Sequence, residues 1–576
     1  MPDSKDLTFY NKTERPWFNR LDRSSIVGHT TEKSTKLWFR MKSKGTYLVA
    51  IADSALNGKI SAKPVYSNNH WHVGDTNEIQ LLLLVPLKLD GKTDFSSVVD
   101  TLNIKKMVDP TDLKKSIKAD DYYQNFNFTE DTEYHYAIYS LKEERWELGA
   151  VNEHSFRTMP KDDIGPWNIT FGFYSCHMPF DPQSDSKADA SMWGLMEKEL
   201  KFADARFVIG GGDQVYSDGT DYLSIWSWLS KVKNEDPSLE DMLSWYRDIY
   251  RGYWGFPKVQ AIHRQFPNYM IWDDHEIMDG WGSYTDVELS DQLDTIFEWE
   301  DEALNLKLSS RMFDAAKQTY LEYQHSHNPD TPNGQYDYSF SNCGSDYYFL
   351  DMRGQRDFER EEHAILGEEQ QDRFATWSEE LSSDKDTPIF IVSTVPLVHL
   401  KDFVSNLLDW VSIFGARDDV RDHWAHQSHT EEFKELLETI FSCSDRTKRP
   451  VVVMCGDVHI GGIFELFDLN KSYPDARVFQ ITSSAITYAA LGPLKMNLLS
   501  KAVAIKGVIG EYETEDGIEN SGFGFKNHLV FPQYNFALVN YKTDGKKTTH
   551  INVELNGKSD DNRVRESQRL NLLAMV

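Results

Sequence analysis

Four apolar stretches of the sequence end in side chains that bind metal ions or transfer protons. These endings are Ser175-Cys-His177, Gly212-Asp-Gln-Val-Tyr216, Trp272-Asp-Asp-His-Glu276 and Gly456-Asp-Val-His459. Any one of them could be an ordinary capped turn, because Asp and Gly are common in turns. In an open α/β sheet, however, ligands bind at the carboxyl ends of the strands. The recurrence of the pattern therefore predicts that the four endings meet at one site.

The acids in these motifs indicate that the site binds metal ions. They are Asp213, Asp273, Asp274 and Asp457. Burying unpaired carboxylates together costs several kcal/mol for each ion, and the four motifs contain no Lys or Arg to neutralise them. Bound cations are the expected compensation, since carboxylate, imidazole, thiolate and phenolate groups are their usual ligands.

The mixture of ligand types bears on which metals are bound. The Cys176 thiolate and the Tyr216 phenolate favour a redox-capable transition metal such as ferric iron, whereas the oxygen-rich remainder suits a harder ion, Ca²⁺, Mg²⁺ or Mn²⁺. Both residues also have ordinary interpretations: a free cysteine is commonly a small buried hydrophobe, and a tyrosine is commonly a packed aromatic.

Strands alternate with amphipathic helices in residues 161–557, which predicts an α/β domain. Strands are expected at 169–174, 207–210, 269–272, 347–350, 389–393 and 451–455, and helices at 191–203, 239–254, 289–323, 368–381 and 430–441. Insertions at 223–258 and 401–429 are expected to form pocket walls. Residues 533–542 and 548–555 predict a hairpin, and residues 558–576 predict a frayed polar tail.

Residues 1–160 predict a separate all-β domain, a sandwich of the immunoglobulin or fibronectin type. Short alternating strands are expected at 36–40, 47–51, 79–85, 134–139 and 154–158, separated by Gly, Asn and Asp. Residues 105–121 are polar and are expected to form a loop with one helical turn. This region holds no cluster of catalytic residue types, so we interpret it as a structural or substrate-flanking module.

The composition excludes several classes of protein. A formal net charge of −30 over 576 residues argues against a nucleic-acid partner and against an anionic membrane surface. No apolar run approaches the length of a membrane span, and four cysteines without a CxxC pair do not form a disulfide framework. The first residues resemble no export signal, so the expected location is cytoplasmic.

Several motifs together resemble those of the PhoD-type alkaline phosphatases, a branch of the calcineurin-like metallophosphoesterases. They are Ser175-Cys176, Gly212-Asp-Gln-Val-Tyr216, Trp272-Asp-Asp-His-Glu276, Leu350-Asp-Met-Arg353 and Gly456-Asp-Val-His459. The combination of Trp272-Asp-Asp-His-Glu276 with Gly456-Asp-Val-His459 in this order is specific, although each motif alone is weak. The resemblance covers roughly residues 25–555. It implies a four-layer αββα catalytic domain that follows the β domain in sequence.

The resemblance also implies a set of metal ligands. Cys176 and Tyr216 would hold ferric iron, and Asp213 would bridge it to one or two divalent ions, with calcium preferred over magnesium or manganese. Asp457 and His459 would complete the metal shell from the last strand.

Four further residues take roles from the same resemblance. Asp274 lies where the superfamily has the Asn of its Asn-His-Asp/Glu motif, which implies a metal ligand. His275 matches the histidine that faces the phosphoryl group, and Arg353 is placed to contact phosphate oxygens. Asp279 departs from the family, which tends to have Asn here; an acid would bind a divalent ion more tightly or change which ion is used.

These features predict a metal-dependent phosphohydrolase acting on small phosphomonoesters, phosphodiesters or both. A metal cluster lowers the pKa of a bound water, so that hydroxide exists near neutral pH and can attack phosphorus. His275 would stabilise or protonate the leaving oxygen, and Ser483 and Ser484 are expected to support the site as a strand-end turn. The alternative is an impaired enzyme scaffold that binds metal or a phospho-ligand, suggested by the insertions and by Asp279.

Overall fold

The computed structural model describes residues 21, 23–56, 65–73, 77–121, 128–142, 145–162, 165–181, 184–219, 223–398, 421, 423–424, 426–488, 504–514, 517–544, 547–558 and 565–575. Most of the insertion predicted at 401–429 lies outside these residues. The described residues form a mixed α/β fold with a β-rich amino-terminal part, as the sequence predicts.

Two antiparallel sheets make up most of the amino-terminal part. One holds Arg23–Thr30, Thr35–Met41 and Ser96–Asp100; the other holds, in spatial order, Arg145–Arg157, Glu133–Lys142, Gly45–Ala52 and Leu82–Leu89. Side chains from both sheets, among them Val27, Ile51 and Ile138, share one apolar core. The β-rich character is therefore confirmed, whereas the immunoglobulin-like type stays a prediction.

The strand Thr35–Met41 is buried on both of its faces and joins the β-rich part to the rest of the chain. Leu37 and Phe39 enter the core of the β-rich part, whereas Trp38 between them enters the large central core. Successive side chains of a strand point to opposite faces, so one strand serves both cores. The Trp38 indole N–H also donates to the Glu322 carbonyl at 2.8 Å.

Two predictions for the β-rich part are wrong in detail. The loop predicted at 105–121 is a hairpin of Lys106–Asp109 and Asp112–Lys118 followed by a 3₁₀ turn, Ala119–Asp121. Its reversal is built by Asp109, whose carboxylate accepts the backbone N–H of Thr111 at 2.8 Å, an Asx turn that composition alone did not reveal. The strand predicted at 79–85 is divided into Asn77–Ile79, part of a small sheet with Val65–Ser67 and His70–Val73, and Leu82–Leu89.

Two large sheets form the centre of the molecule. The six-stranded sheet has the order Asn268–Ile271, Phe207–Gly211, Asn168–Tyr174, Asn535–Asp544, Lys547–Lys558 and Arg565–Asn571. The eight-stranded sheet has the order Tyr338–Asn342, Ser345–Phe349, Ile389–Val392, Val451–Cys455, Val478–Ser483, Gly461–Asp468, Phe523–Phe531 and Lys506–Val508. Two short pairs, Phe180–Asp181 with Ser184–Ala188 and Tyr512–Thr514 with Gly517–Glu519, complete the described strands.

Aromatic side chains from the two large sheets meet in one core. Phe171 stacks on Phe207 of its own sheet at 4.8 Å between ring centroids, and it meets Phe390 of the other sheet edge-on at 5.1 Å. The strands of Phe207 and Phe390 are parallel to both of their neighbours, whereas the strand of Phe171 is parallel to one neighbour and antiparallel to the other. Such strands are buried on both faces, which explains why they read as unbroken apolar runs in the sequence.

Eight α-helices lie among the described residues. They are Ser191–Phe202, Ile225–Val232, Leu239–Tyr253, Pro257–His263, Asp286–Phe297, Glu302–Tyr323, Glu368–Glu380 and Thr430–Thr447. The first packs closely on the strand Asn168–Tyr174, because Gly172 has no side chain where Met196 and Leu200 approach. Within the described part of the chain, no helix combines the length and the apolar character needed to cross a bilayer.

The structure corrects two further predictions. The single helix predicted at 289–323 is two helices, because Glu298 adopts a left-handed conformation (φ 54°) that ends the first and the Asp301 side chain caps the second. The tail predicted to fray from residue 558 instead contains the strand Arg565–Asn571, which pairs with Lys547–Lys558. Leu572, just beyond it, is fully buried.

The buried end of the chain leads to a stability prediction. Leu572→Ala should lower the free energy of unfolding by about 2–5 kcal/mol, because it opens a cavity in the central core. Denaturant unfolding followed by tryptophan fluorescence measures the loss. Leu102→Ala is the matched control, since Leu102 is 74% exposed and its loss should stay within about 0.5 kcal/mol. Equal effects of the two substitutions would contradict a packed carboxyl terminus.

Candidate metal centre

The four motif endings meet where the two large sheets approach each other. The strands Asn168–Tyr174, Phe207–Gly211 and Asn268–Ile271 are parallel neighbours, so their carboxyl ends lie side by side. The strand Val451–Cys455 reaches the same place from the other sheet. A Cβ atom on Gly456 would lie 2.6 Å from the Ser175 hydroxyl and 2.7 Å from the Gly211 carbonyl, so this approach requires glycine at position 456.

The residues at these strand ends have an unusual backbone conformation. Positive φ angles occur at Cys176 (55°), Asp213 (54°), Asp457 (67°) and His459 (56°). A non-glycine residue in this region costs about 1–2 kcal/mol, and such residues cluster at functional sites where the surrounding structure holds them. The backbone is therefore strained at these four positions, and the strained conformation accompanies the convergence of the four side chains.

One oxygen of Asp213 lies at the centre of the first group of ligand candidates. Its Oδ2 atom accepts hydrogen bonds from the Cys176 thiol at 3.3 Å and from the Tyr216 hydroxyl at 3.0 Å. The Tyr216 hydroxyl is also 3.2 Å from His459 Nε2. The atoms of Cys176, Asp213 and His459 that could bind a metal lie within 4.8 Å of one another. With the Tyr216 hydroxyl, a thiol, a phenol, an imidazole and a carboxylate thus converge.

Further candidates share Asp213 with the first group. Carboxylate oxygens of Asp213, Asp273, Asp274 and Asp457 lie within 4.8 Å of one another. The same limit holds for an oxygen of Asp213, an oxygen of Asp274 and a ring nitrogen of His275. Asp213 Oδ1 is buried and has no hydrogen-bond partner among the described residues. Asp213 belongs to all three groups, so it would take part in holding a cation bound at any of them. The residues present therefore fit the metal centre that the sequence predicts.

The ionisation of these groups supports the same interpretation. Burial raises the pKa values of the Cys176 thiol, the Asp213 carboxyl and the Tyr216 phenol. Burial therefore disfavours the ionised form of each group, and a bound cation would favour that form again. Burial, with a smaller effect of His275, lowers the pKa of His459 to about 3. Its ring is therefore neutral and can act as a ligand.

His275 is held by Asp218, a partner that we did not predict. His275 Nδ1 lies 2.7 Å from Asp218 Oδ1. Burial lowers the pKa of His275, but the charges of Asp218, Asp274 and Asp213 outweigh burial and raise it well above its ordinary value. The imidazolium form is thus favoured at neutral pH. The only sequence signal for Asp218 is its place in the turn that follows Asp213.

Asp279 lies at the rim and not among the clustered ligand groups. Its side chain is 65% exposed, and its Oδ1 atom is 3.8 Å from His275 Nε2. Its backbone N–H donates to Asp218 Oδ2. Asp279 thus lies next to His275, the predicted catalytic histidine. A direct role of Asp279 in binding metal stays a prediction.

Arg353 is fully buried behind the acids. Its Nε–H donates to Asp273 Oδ1 at 2.5 Å, Nη1 donates to the Trp281 carbonyl at 3.1 Å, and Nη2 is 3.5 Å from Asp274 Oδ1. Asp351 holds this segment in place by accepting the backbone N–H of Arg353 at 3.1 Å. The guanidinium therefore acts as the protein's own counter-ion to the two acids, and its contact with phosphate oxygens stays a prediction.

Three residues outside the predicted ligand set also shape the centre. Ser484 supports it, as expected for a strand-end turn: its hydroxyl is 3.0 Å from the Cys176 sulfur and accepts the His459 backbone N–H at 2.8 Å. His423 Nδ1 lies 3.4 Å from an oxygen of Asp457. Tyr488 stacks on the His459 ring at 3.6 Å. No motif marks His423 or Tyr488, since both come from segments far from their partners in sequence.

The buried position of Arg353 leads to a second stability prediction. In metal-free protein, Arg353→Met should lower the free energy of unfolding by about 3–5 kcal/mol, because Asp273 loses its guanidinium partner. Adding Asp273→Asn should recover part of that loss. Denaturant unfolding in the presence of a chelator measures both. Arg157→Met, which breaks a surface pair with Asp131, should change stability by at most about 1 kcal/mol. Identical losses in the single and double variants would contradict the pairing.

Known proteins resemble this chain in sequence and in fold. A family profile described as PhoD-like phosphatase matches residues 171–527. The solved structure of PhoD superposes with a TM-score of 0.57 at 13% identity, covering 95% of this chain and 88% of that chain, which shows a shared fold. The uncharacterized protein YGR266W of Saccharomyces cerevisiae is 27% identical over 137 residues. That match spans only 20% of this chain and 20% of the yeast protein. Since the profile covers more than half of the sequence and contains the motifs that form the centre, the chain belongs to the PhoD-like phosphatase family.

Proposed function

We propose that this protein is a metal-dependent phosphohydrolase that cleaves small phosphomonoesters, phosphodiesters or both. The observation that carries the proposal is the position of Asp213, which belongs to all the donor groups at the strand ends. Membership of the PhoD-like phosphatase family supports the reaction class. Sites that hold two neighbouring cations recur in enzymes that catalyse displacement reactions at phosphorus.

The side chains divide between two proposed cation positions. Cys176, Tyr216 and His459 are the proposed ligands of ferric iron, with Asp213 shared. Asp213, Asp274 and Asp457 are the proposed oxygen ligands of one or two divalent ions, calcium, magnesium or manganese. Asp279 is a further proposed ligand from the rim. When bound, such cations polarise phosphoryl oxygens and acidify water.

The protein itself is proposed to supply a proton and fixed charge. His275, protonated and held through Nδ1 by Asp218, can donate a proton to a leaving oxygen from its Nε2 side. The Arg353 guanidinium neutralises the Asp273 carboxylate. Less negative charge is therefore left on the cluster of acids to attract bound cations. These roles need no serine nucleophile.

The finer description of the fold belongs to the same proposal. We infer that residues 161–557 form a four-layer catalytic domain and that residues 1–160 form an immunoglobulin-like domain beside it. The apolar core shared by the two large sheets supports the first assignment. The separate core shared by the two amino-terminal sheets supports the second.

Removing the metal ligands provides the direct test of this function. Purified protein should contain iron and a divalent ion by elemental analysis, and it should hydrolyse p-nitrophenyl phosphate or its bis ester. The double variant Cys176→Ala/Asp213→Asn should lose the metal and reduce turnover on the order of 10³-fold, as expected when electrostatic stabilisation of a transition state is removed. Cys443→Ala, a buried cysteine outside the site, should leave both unchanged.

Two results would contradict this proposal. Full activity in the double variant would show that the strand-end cluster does not carry out hydrolysis. Tightly bound metal without hydrolysis of either ester would instead favour a binding protein on an enzyme scaffold.

The Asp218–His275 pair predicts a shift of the pH–rate profile. Asp218 raises the pKa of His275, so a catalytic acid at this position stays protonated to higher pH and is lost as the pH rises through that pKa. Asp218→Asn should therefore move the alkaline limb of the kcat profile to lower pH. Asp314→Asn, at a surface acid that pairs with Lys317, should leave the profile in place. An unmoved limb in Asp218→Asn would contradict the role of His275 as the acid.

A further inference from the structure

Glu276 is the last residue of the Trp272-Asp-Asp-His-Glu276 motif, and the proposed reaction gives it no role. Its carboxylate is 1% exposed. Oε2 accepts the backbone N–H groups of Asp213 at 3.1 Å and Asp273 at 2.9 Å. Oε1 accepts the backbone N–H of Gln214 at 2.7 Å and the side-chain amide of Gln324 at 2.8 Å. All four of these partners are donors, so each oxygen of Glu276 receives two hydrogen bonds.

These bonds connect two loops that would otherwise repel each other. The Asp213 loop (residues 212–218) and the Asp273 loop (residues 272–276) follow neighbouring parallel strands. Both loops direct carboxylates into the same space, where their oxygens lie within 4.8 Å of one another. The loops also touch directly, since a Cβ atom on Gly212 would lie 2.8 Å from the Asp273 Cβ. Like charges at this separation favour moving the loops apart.

We propose that Glu276 is a positioning residue that sets the distance between Asp213 and Asp274 by binding the backbone of both loops to one carboxylate. The inference rests on the proposed metal centre, because the spacing matters only if cations bind between those acids. A single oxygen that receives N–H groups from both loops holds the two backbones at one separation. Groups that orient metal ligands in this way commonly change metal affinity by about 10- to 100-fold.

The Glu276 carboxylate is itself held from outside the two loops. Gln324 follows the helix Glu302–Tyr323 as its C-cap residue, and its amide also donates to the Tyr250 hydroxyl at 2.9 Å. Tyr250 belongs to the helix Leu239–Tyr253. Two helices thus fix the position of the carboxylate that fixes the loops.

The chemistry of the position excludes the nearest substitutes for Glu276. A glutamine would present an NH₂ group to two donors, whichever way its amide is turned, and both hydrogen bonds on that side would be lost. An aspartate carries the same charge but is shorter by one methylene, so its oxygens do not reach the same N–H groups. We therefore expect glutamine to disturb the spacing even though its shape matches glutamate closely.

Cobalt binding tests this inference without relying on catalysis. Metal-free protein would be titrated with Co²⁺, and the visible spectrum of the bound ion would report its coordination. Glu276→Gln should weaken Co²⁺ binding by about 10- to 100-fold and change the spectrum.

The matched control is Glu432→Gln. Glu432 is also a buried carboxylate that accepts two backbone N–H groups, those of Ile365 and Leu366, at 2.9 and 2.7 Å. The Glu432→Gln protein should lose about as much stability as the Glu276→Gln protein. Its Co²⁺ affinity and its spectrum should stay unchanged.

A second variant keeps the test decisive if Glu276→Gln does not fold. Gln324→Leu removes one of the four donors and leaves three backbone N–H groups in place, so Co²⁺ affinity should fall several-fold. Unchanged Co²⁺ affinity and spectrum in a folded Glu276→Gln protein, or in Gln324→Leu, would overturn the positioning role.

The same titration separates this inference from the proposed function. Protein that binds Co²⁺ tightly but hydrolyses no phosphoester would refute the function, while the effect of Glu276→Gln on affinity would still decide the positioning role. A chain with no Co²⁺ binding at all would overturn both.

Discussion

Mutual repulsion among buried carboxylates is the constraint on which the centre of this molecule depends. Asp213, Asp273, Asp274 and Asp457 come from three strand ends and lie together at the junction of two sheets. Two like charges roughly 4 Å apart repel by about 4 kcal/mol at the effective dielectric constant of a protein site. Such an arrangement is stable only if positive charge enters it and if the backbone cannot move apart.

The protein meets the first requirement only in part. Arg353 pairs with Asp273 and approaches Asp274, and His275 carries positive charge beside Asp218 and Asp213. Asp213 Oδ1 is nevertheless buried and has no hydrogen-bond partner among the described residues. This oxygen belongs to the carboxylate on which a thiol, a phenol and an imidazole also converge. This distribution fits a site for metal ions, and Asp213 belongs to all of its candidate ligand groups.

The second requirement is met by structure that extends well beyond the site. The helix Glu302–Tyr323 is capped by Gln324, which donates to Glu276, and its Glu322 carboxylate, two residues before the cap, pairs with Arg247 at 2.6 Å. Trp38 of the β-rich part donates to the Glu322 carbonyl. The amino-terminal strands thus contact the helix that supports the loops. The β-rich part, in whose described residues no group of candidate metal ligands occurs, contributes to the framework that holds the centre.

The sequence by itself determined the family, the strands that lead to the site and the residue types gathered there. Those features are local, because an apolar run followed by glycine and an acid is visible within about ten residues. Such a run predicts a buried parallel strand, which places the acid at the carboxyl end of the strand. The division of the long helix at Glu298 and the pairing of the strand Arg565–Asn571 were missed, because a single left-handed residue and a partner strand leave little trace in composition.

Only the tertiary structure decided which groups pair with which. Arg353 neutralises Asp273, which lies 80 positions away in sequence, and Asp218 holds His275 across 57 positions. Glu276 reaches the backbone of Asp213 across 63 positions. The energy of such contacts depends on distance and burial in the folded chain. Local sequence patterns can therefore identify the candidate ligands, but they do not specify the partners that orient those ligands.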